Sequence, residues 1–363
     1  MSVTFENYKI GPIDDNAIEK TQTILNNLAK PPGSLGELEE ITKKLSGISG
    51  EIHYDTNKRC VIVMASDNGV VEEGVSLAPQ AVTHALALSF TKGITGCAVL
   101  AKHFNADLIV VDVGINADIN NPLIKNRKIR KSTWNIAKQA AMTRNEAVQA
   151  ITAGIQTAVD AVEKGYKLIG VGEIGIGNTT TSAAVLSSLC GISPEQATGK
   201  GAGLTEESYH NKINVIKRAL EVNKPNPKDP IDVLTKVGGF DIAAMAGVYL
   251  GAAHMRAPVV IDGLISMTAA LVAYRINPLV KDYMFASHAS FEPGYKYATE
   301  NIGITPCLTL NMRLGEGSGC PIMFAIIDAA CAALRNMGTF EQASIDDEYV
   351  EGVKDADFHI RRV

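Results

Sequence analysis

The sequence predicts an α/β fold, a parallel sheet of about six strands covered by helices on both faces. Three observations carry this. Short β-rich runs alternate with longer, alanine-rich helical stretches along most of the chain, which is the pattern of strand–helix–strand units. The β-rich runs are almost continuously apolar, as strands buried on both faces must be. Six of them lead to a polar residue beside glycine or loop residues: Asp67, Asp112, Glu173, Asp262, His288 and Glu316. In open parallel sheets ligands bind outside the carboxyl ends of the strands, so a site is expected along that edge.

The elements follow in order. Residues 13–46 read as helix, turn, helix; Pro31 and Pro32 stop the first, and Ser34 or Gly36 starts the second. The strands are expected at "RCVIVMAS" (59–66), "ADLIVVDVG" (106–114), "YKLIGVGE" (166–173), "APVVIDG" (257–263), "DYMFASH" (282–288) and "PCLTLNMRLGEG" (306–317). Helices are expected over 80–103, 143–164 and 241–255, with a last one at 323–337. The charged tail from about Glu341 reads as a frayed end or a subunit contact.

Composition narrows the function. The chain has 363 residues, 46% hydrophobic and 20% charged, which is ordinary for a globular protein with a sizeable core. Net charge is -5 with no basic block, so nucleic acid and anionic membrane are poor partners. The N-terminal stretch is polar and acidic, unlike a signal peptide, and no apolar run reaches spanning length. The six cysteines are scattered without a C-x-x-C pair. Reduced buried thiols in a cytoplasmic protein are expected, rather than disulfides or a zinc site.

Two glycine-rich stretches carry chemistry. "GVGEIGIGNTTTSAAV" (170–185) reads as strand, glycine turn, hydroxyl cluster and helix start. Gly175 and Gly177 let backbone N–H groups converge. Thr179, Thr180 and Thr181 offer hydroxyls, and the helix start adds its dipole, which together suit an anion such as phosphate. The spacing is neither a Walker loop nor a dinucleotide fingerprint. A second loop, "ATGKGAGLT" (197–205), holds Lys200 and Gly201, and Lys212 follows. A lysine there could neutralise phosphate, although each alone reads more readily as a solvated surface charge. In "RLGEGSGCP" (313–321) Glu316 stands among three glycines, which permit unusual backbone angles and close approach of the main chain to something else. Glu173 reads as a ligand for sugar hydroxyls or as a surface carboxylate. The glycine pair of "GGFDIAAMAG" (238–247) suits close helix packing at least as well as a ligand. Asp67, Glu72 and Glu73 lack metal-ligand spacing, and His84 and His288 read as structural histidines.

Taken together these stretches resemble one family, the nicotinate-nucleotide–dimethylbenzimidazole phosphoribosyltransferases of cobalamin nucleotide-loop assembly. The resemblance runs in order through "AKPPGSLGELE", "SDNGVVEEGVS", "VVDVGINAD", "GVGEIGIGNTTTSAAV", "NPKDPIDVLTKVGGFDIAAMAGV", "VVIDGLIS" and "MRLGEGSG". It implies a Rossmann-like large domain over 56–334 and a small helical domain from 1–55 plus 335–363. It implies transfer of the phosphoribosyl group of nicotinate mononucleotide to an aromatic base, with no metal or redox cofactor. It also implies a dimer, with itself or with a paralogue. Glu316 matches the family's general base, and Gly315, Gly317 and Gly319 would then let a flat aromatic acceptor lie close beside it. The implied substrate-binding set is Glu173, Gly175, Gly177, Asn178, Thr179, Thr180, Gly201, Lys212, Asp262, Gly263, Ser266 and Leu314, with Ala78 and Leu86 beside the acceptor. Benzimidazole-using members align Ser and Gln with those last two. Ala78 and Leu86 therefore suggest a more apolar pocket, fit for phenol or p-cresol as well as dimethylbenzimidazole. Two rival readings are a non-catalytic paralogous partner subunit and another phosphate–sugar enzyme, such as a nucleoside phosphorylase.

Overall fold

The computed structural model describes residues 7–199 and 205–346. Its core is one six-stranded sheet: β1 (Arg59–Ser66), β2 (Asp107–Gly114), β3 (Ile124–Asn126), β4 (Leu168–Ile174), β5 (Val259–Ile261) and β6 (Met284–Ala286). All neighbours are parallel, in the order β3-β2-β1-β4-β5-β6. That is the doubly wound order, and it reverses at β1, which pairs through Ile62 with Ile109 of β2 and Val171 of β4. Ligands in such sheets bind outside the carboxyl ends of the strands, and here the ends of β4, β5 and β6 line a cavity.

Two expectations about strands need correction. Residues 306–317 do not form one. They run extended along the end of β6, joined by a single parallel bridge between His288 and Leu308. Pro306 brings no N–H to a ladder and most of the segment is solvent-facing, so neither pairing nor burial favours a regular strand. The sixth strand is β3 instead. With three residues, only one of them aliphatic, it has no periodicity to read.

The helical stretch expected over 80–103 is two helices, Ala81–Thr91 and Gly96–His103. Gly93, at φ 73°, turns the chain between them. Thr95 then caps the second helix by accepting from the Ala98 N–H at 3.3 Å. The break matters because it creates a helix N-terminus at Gly96. The last long helix, Gly319–Asn336, begins directly out of the glycine-rich loop that holds Glu316. By length and composition that helix and the stretch Ala81–His103 would both pass for membrane spans, contrary to expectation. One is interrupted by the Gly93 turn, and the other buries Cys320, Met323, Phe324 and Ile327.

The chain divides into two compact units. The larger takes residues 7–10 and 58–323, and the smaller takes 11–57 and 324–346. In the smaller unit, helices Asp15–Asn27 and Glu37–Ser49 meet through Thr21 and Ser46, whose hydroxyls are 2.9 Å apart. Lys30 and Glu39 form a buried ion pair at 2.8 Å. Leu25 and Leu28 pack with Leu334, so residues from both ends of the sequence share one apolar cluster. The helix after Pro31 and Pro32 starts from Gly36. All six cysteines are free thiols, buried or half-buried. Of the charged tail, the described part contains a short helix, Phe340–Ala343.

Candidate active site

The site begins at β4. A Cβ on Gly172 would lie 2.4 Å from the carbonyl oxygen of Glu316, so only glycine lets the loop 315–317 rest on that strand. Glu316 itself sits at φ 65°, a left-handed conformation that costs a non-glycine residue about 1–3 kcal/mol. Carboxylates hold it there. The Glu316 N–H donates to Glu173 Oε1 at 3.2 Å. The Gly317 and Gly319 N–H groups donate to Asp262 Oδ2 and Oδ1 at 3.0 and 2.7 Å. The expectation that these glycines admit a flat aromatic ring needs correction, because they admit the protein itself. A Cβ at Gly315 would meet Glu173, one at Gly317 would meet Val61, and one at Gly319 would meet His288. We expect Gly172→Ala to cost about 1–3 kcal/mol of stability, the usual penalty of overpacking. A denaturant melt checks this; an unchanged midpoint would mean the loop does not rest on β4.

The Glu316 carboxylate points the other way, onto the helix start created by the Gly93 turn. Its Oε2 accepts from the Cys97 N–H at 3.0 Å. Burial pushes its pKa up, opposed by hydrogen bonds from Cys97, Gly96 and Thr95. At 8% exposure it is enclosed but reachable from the cavity it lines. Glu173, Asp262 and Glu292 line the same cavity, and Asp241 is buried behind it against Asn178. Glu173 is pushed up to about 8 by burial and then by Asp241. Asp241 rises to about 7 and Asp262 to about 6, both mainly by burial. Asn178 bridges Glu173 and Asp241 with one amide nitrogen, at 2.5 and 3.2 Å. Sequence reasoning misses Asp241, whose only signal is an acidic residue in the first turn of an otherwise apolar helix, Phe240–His254.

The glycine turn expected to cradle an anion has its own internal bonding. Helix Asn178–Cys190 starts from Gly177 at φ 93°. The Ile176 N–H donates to Thr83 Oγ1 and the Asn178 N–H to the Gly175 carbonyl, so those two amides serve the turn rather than an open cradle. Thr179 also faces the cavity, and Lys212 Nζ donates to it at 2.8 Å. Lys212 is almost wholly buried, and burial pulls its pKa down to about 8 against the opposing charge of Glu292. Thr180 is buried, off the cavity wall, and its hydroxyl has no partner among the described residues. Lys200 and Gly201 lie outside the described residues.

A cavity of about 360 Å³ joins these parts. Glu316, Glu173, Gly175, Gly177, Asn178, Thr179, Lys212, Asp262, Gly263, Ser266, Ala78, Leu86 and Leu314 all line it. Ser266 does so while holding the sheet together, since its hydroxyl donates to the Val171 carbonyl and accepts from the Asp262 N–H. Leu77 joins Ala78, Leu86 and Leu314 in the apolar part of the wall. Leu77 and Leu314 are 63% and 59% exposed, so much of their apolar surface remains open. His288, which the sequence presents as structural, also lines the cavity. The loop carboxylates Asp67, Glu72 and Glu73 do not. Asp67 accepts from the Asn116 N–H, while Glu72 and Glu73 meet Asn135, with Lys138 and Arg218 beside them.

The fold and the site define a doubly wound α/β protein in which a helix start with a buried lysine and a buried glutamate line one cavity. A family profile described as phosphoribosyltransferase matches residues 10–345. The chain is 50% identical over 348 residues to the nicotinate-nucleotide–dimethylbenzimidazole phosphoribosyltransferase of Clostridium tetani, covering 96% of each chain. It is 54% identical over 346 residues to the protein of that name from Ruminiclostridium cellulolyticum, covering 95% of this chain and 98% of the other. The crystal structure of the Thermus thermophilus protein of that name superposes with a TM-score of 0.87 at 35% identity, over 92% of this chain and 99% of that one. The chain therefore belongs to this phosphoribosyltransferase family and is a transferase.

Proposed function

We propose that this enzyme moves the 5-phosphoribosyl group of nicotinate mononucleotide to an aromatic base, releasing nicotinate. The observation that carries the reading is one cavity with three chemically distinct parts: Lys212 with Thr179, the Glu316 carboxylate, and the apolar wall at Ala78, Leu86 and Leu314. Lys212, Thr179 and the helix start suit the phosphate. The apolar wall suits a flat acceptor ring. Between them the acceptor attacks C1′, a new bond to C1′ forms, and the bond to the pyridinium nitrogen breaks with its electron pair going to nicotinate. Glu316 takes the acceptor's proton as that happens. Attack opposite the leaving group turns the β nucleotide into an α ribotide. The product is the ribotide needed for a cobamide lower ligand, made in the cytoplasm by a dimer of this chain or of this chain with a paralogue.

The test is nicotinate release from nicotinate mononucleotide in the presence and absence of dimethylbenzimidazole. Acceptor-dependent release supports the reading. Release driven by inorganic phosphate alone would point to a phosphorylase, and no release to a non-catalytic subunit.

The acceptor range follows from the same wall. A phenol presents one oxygen and an otherwise apolar ring, so pocket groups that hydrogen-bond an azole edge would be left unpaired against it. Ala78 and Leu86 offer no such groups. We expect product with phenol or p-cresol as sole acceptor, read by mass, with any paralogous partner supplied. Efficient use of dimethylbenzimidazole with no phenolic product would contradict this.

A further inference from the structure

We propose that His288 binds a ribosyl hydroxyl of the donor nucleotide through its Nε2, an assignment that rests on the phosphoribosyl-donor reading above. His288 lies just past the end of β6 and is only 2% exposed, yet it lines the cavity. Its backbone neighbours are tied down on both sides. The Ser287 N–H donates to the Ile261 carbonyl at 3.0 Å, and the Ala289 N–H donates to the Leu308 carbonyl at 2.8 Å. The ring is therefore placed by two neighbouring segments and not by a loose loop.

The two ring nitrogens have different surroundings. Nδ1 lies 3.0 Å from Ser287 Oγ and 4.0 Å from Asp262 Oδ1. Gly319 packs against the same edge, since a Cβ there would fall 2.4 Å from Nδ1. That nitrogen is committed to the protein. Nε2 makes no hydrogen bond among the described residues, and a Cβ on Gly263 would stand 3.9 Å from it. Gly263 and its neighbour Ser290 both line the cavity. Nε2 is thus the ring atom that a ligand in the cavity can reach, and a ligand hydroxyl there would satisfy it in place of solvent.

The chemistry of that partner follows from the ring's state. Burial disfavours the imidazolium, so the ring is neutral at neutral pH. A neutral imidazole is a weak match for phosphate, for which Lys212 and the helix start are better suited. The apolar ring of the acceptor belongs with Ala78, Leu86 and Leu314. What remains of the donor is its sugar and its nicotinate carboxylate; a carboxylate here would face Asp262, 4.0 Å from the ring, so the sugar is the better match. Sugar hydroxyls both donate and accept, so they satisfy either tautomer of His288.

The experiment compares three donors: nicotinate mononucleotide and its 2′-deoxy and 3′-deoxy forms. In wild-type enzyme both deoxy donors should be poorer. In His288→Phe, which keeps a flat ring and loses the nitrogen, kcat/KM for the full donor should fall about three- to tenfold, the worth of one neutral hydrogen bond. One deoxy donor should then perform as well as the full donor, while the other keeps its penalty. His288→Gln, which retains a donor and an acceptor, should keep the wild-type ranking. A purely packing role would slow all three donors by one common factor, and that result would overturn the proposal. If His288→Phe does not fold, His288→Ala reads the same ratio of donors. Wild-type enzyme that turns over none of the three would instead overturn the donor reading itself.

Discussion

Replacing Glu316 by Gln should lower turnover by about two to four orders of magnitude while leaving the fold and donor affinity close to wild type. The structure makes this substitution unusually clean. The loop around Glu316 is held through backbone N–H groups that donate to Glu173 and Asp262, and none of those bonds involves the Glu316 side chain. The side-chain amide oxygen of Gln can still accept from the Cys97 N–H that Glu316 Oε2 now occupies. Only basicity is lost. Burial raises the Glu316 pKa, and a base works in its ionised form. The wild-type rate should therefore rise with pH through a range above that of an ordinary glutamate, and this dependence should vanish in the variant. Turnover within a few-fold of wild type, with the pH dependence intact, would remove Glu316 from the chemistry.

The second large effect is on donor binding. Lys212→Ala should raise KM for nicotinate mononucleotide about ten- to a hundredfold, the range expected for losing a hydrogen bond to a charged group. Acceptor binding should be unaffected. The lysine is buried against Thr179 and titrates near 8. A cation whose pKa is pulled down loses its charge as pH rises through that value. Wild-type affinity for the donor should thus weaken above about pH 8, whereas the variant's affinity should stay flat there. Calorimetric titration of the donor across that range measures both. Equal affinities in the two proteins would place the phosphate elsewhere.

Much of this is legible in the sequence because burial writes itself into strands. The runs that form β1, β2 and β4 are apolar almost throughout, and their polar ends mark the edge where the cavity lies. β3 is not legible, since three residues cannot show a period. The run at 306–317 misleads for the opposite reason: its apolar residues suggest a strand, but it is joined past β6 by one bridge only and little of it is buried. The helix break at Gly93 looks minor in sequence, yet it supplies the N-terminus on which the Glu316 carboxylate rests. Asp262 is visible as a strand end, but its use is not. Accepting from Gly317 and Gly319 depends on a loop more than fifty residues away. The same holds for Gly172, whose value is the carbonyl of Glu316 lying against it. Long-range contacts of this kind leave no local pattern. His288 reads as structural because a single histidine carries no spacing to interpret.

The most direct measurement is the anomeric configuration and mass of the product formed from nicotinate mononucleotide and dimethylbenzimidazole, read by NMR and mass spectrometry. The account predicts one α-linked ribotide per nicotinate released, because the acceptor enters opposite the leaving pyridinium. A β-linked product, a free sugar phosphate, or nicotinate released without any ribotide would contradict direct transfer to the base.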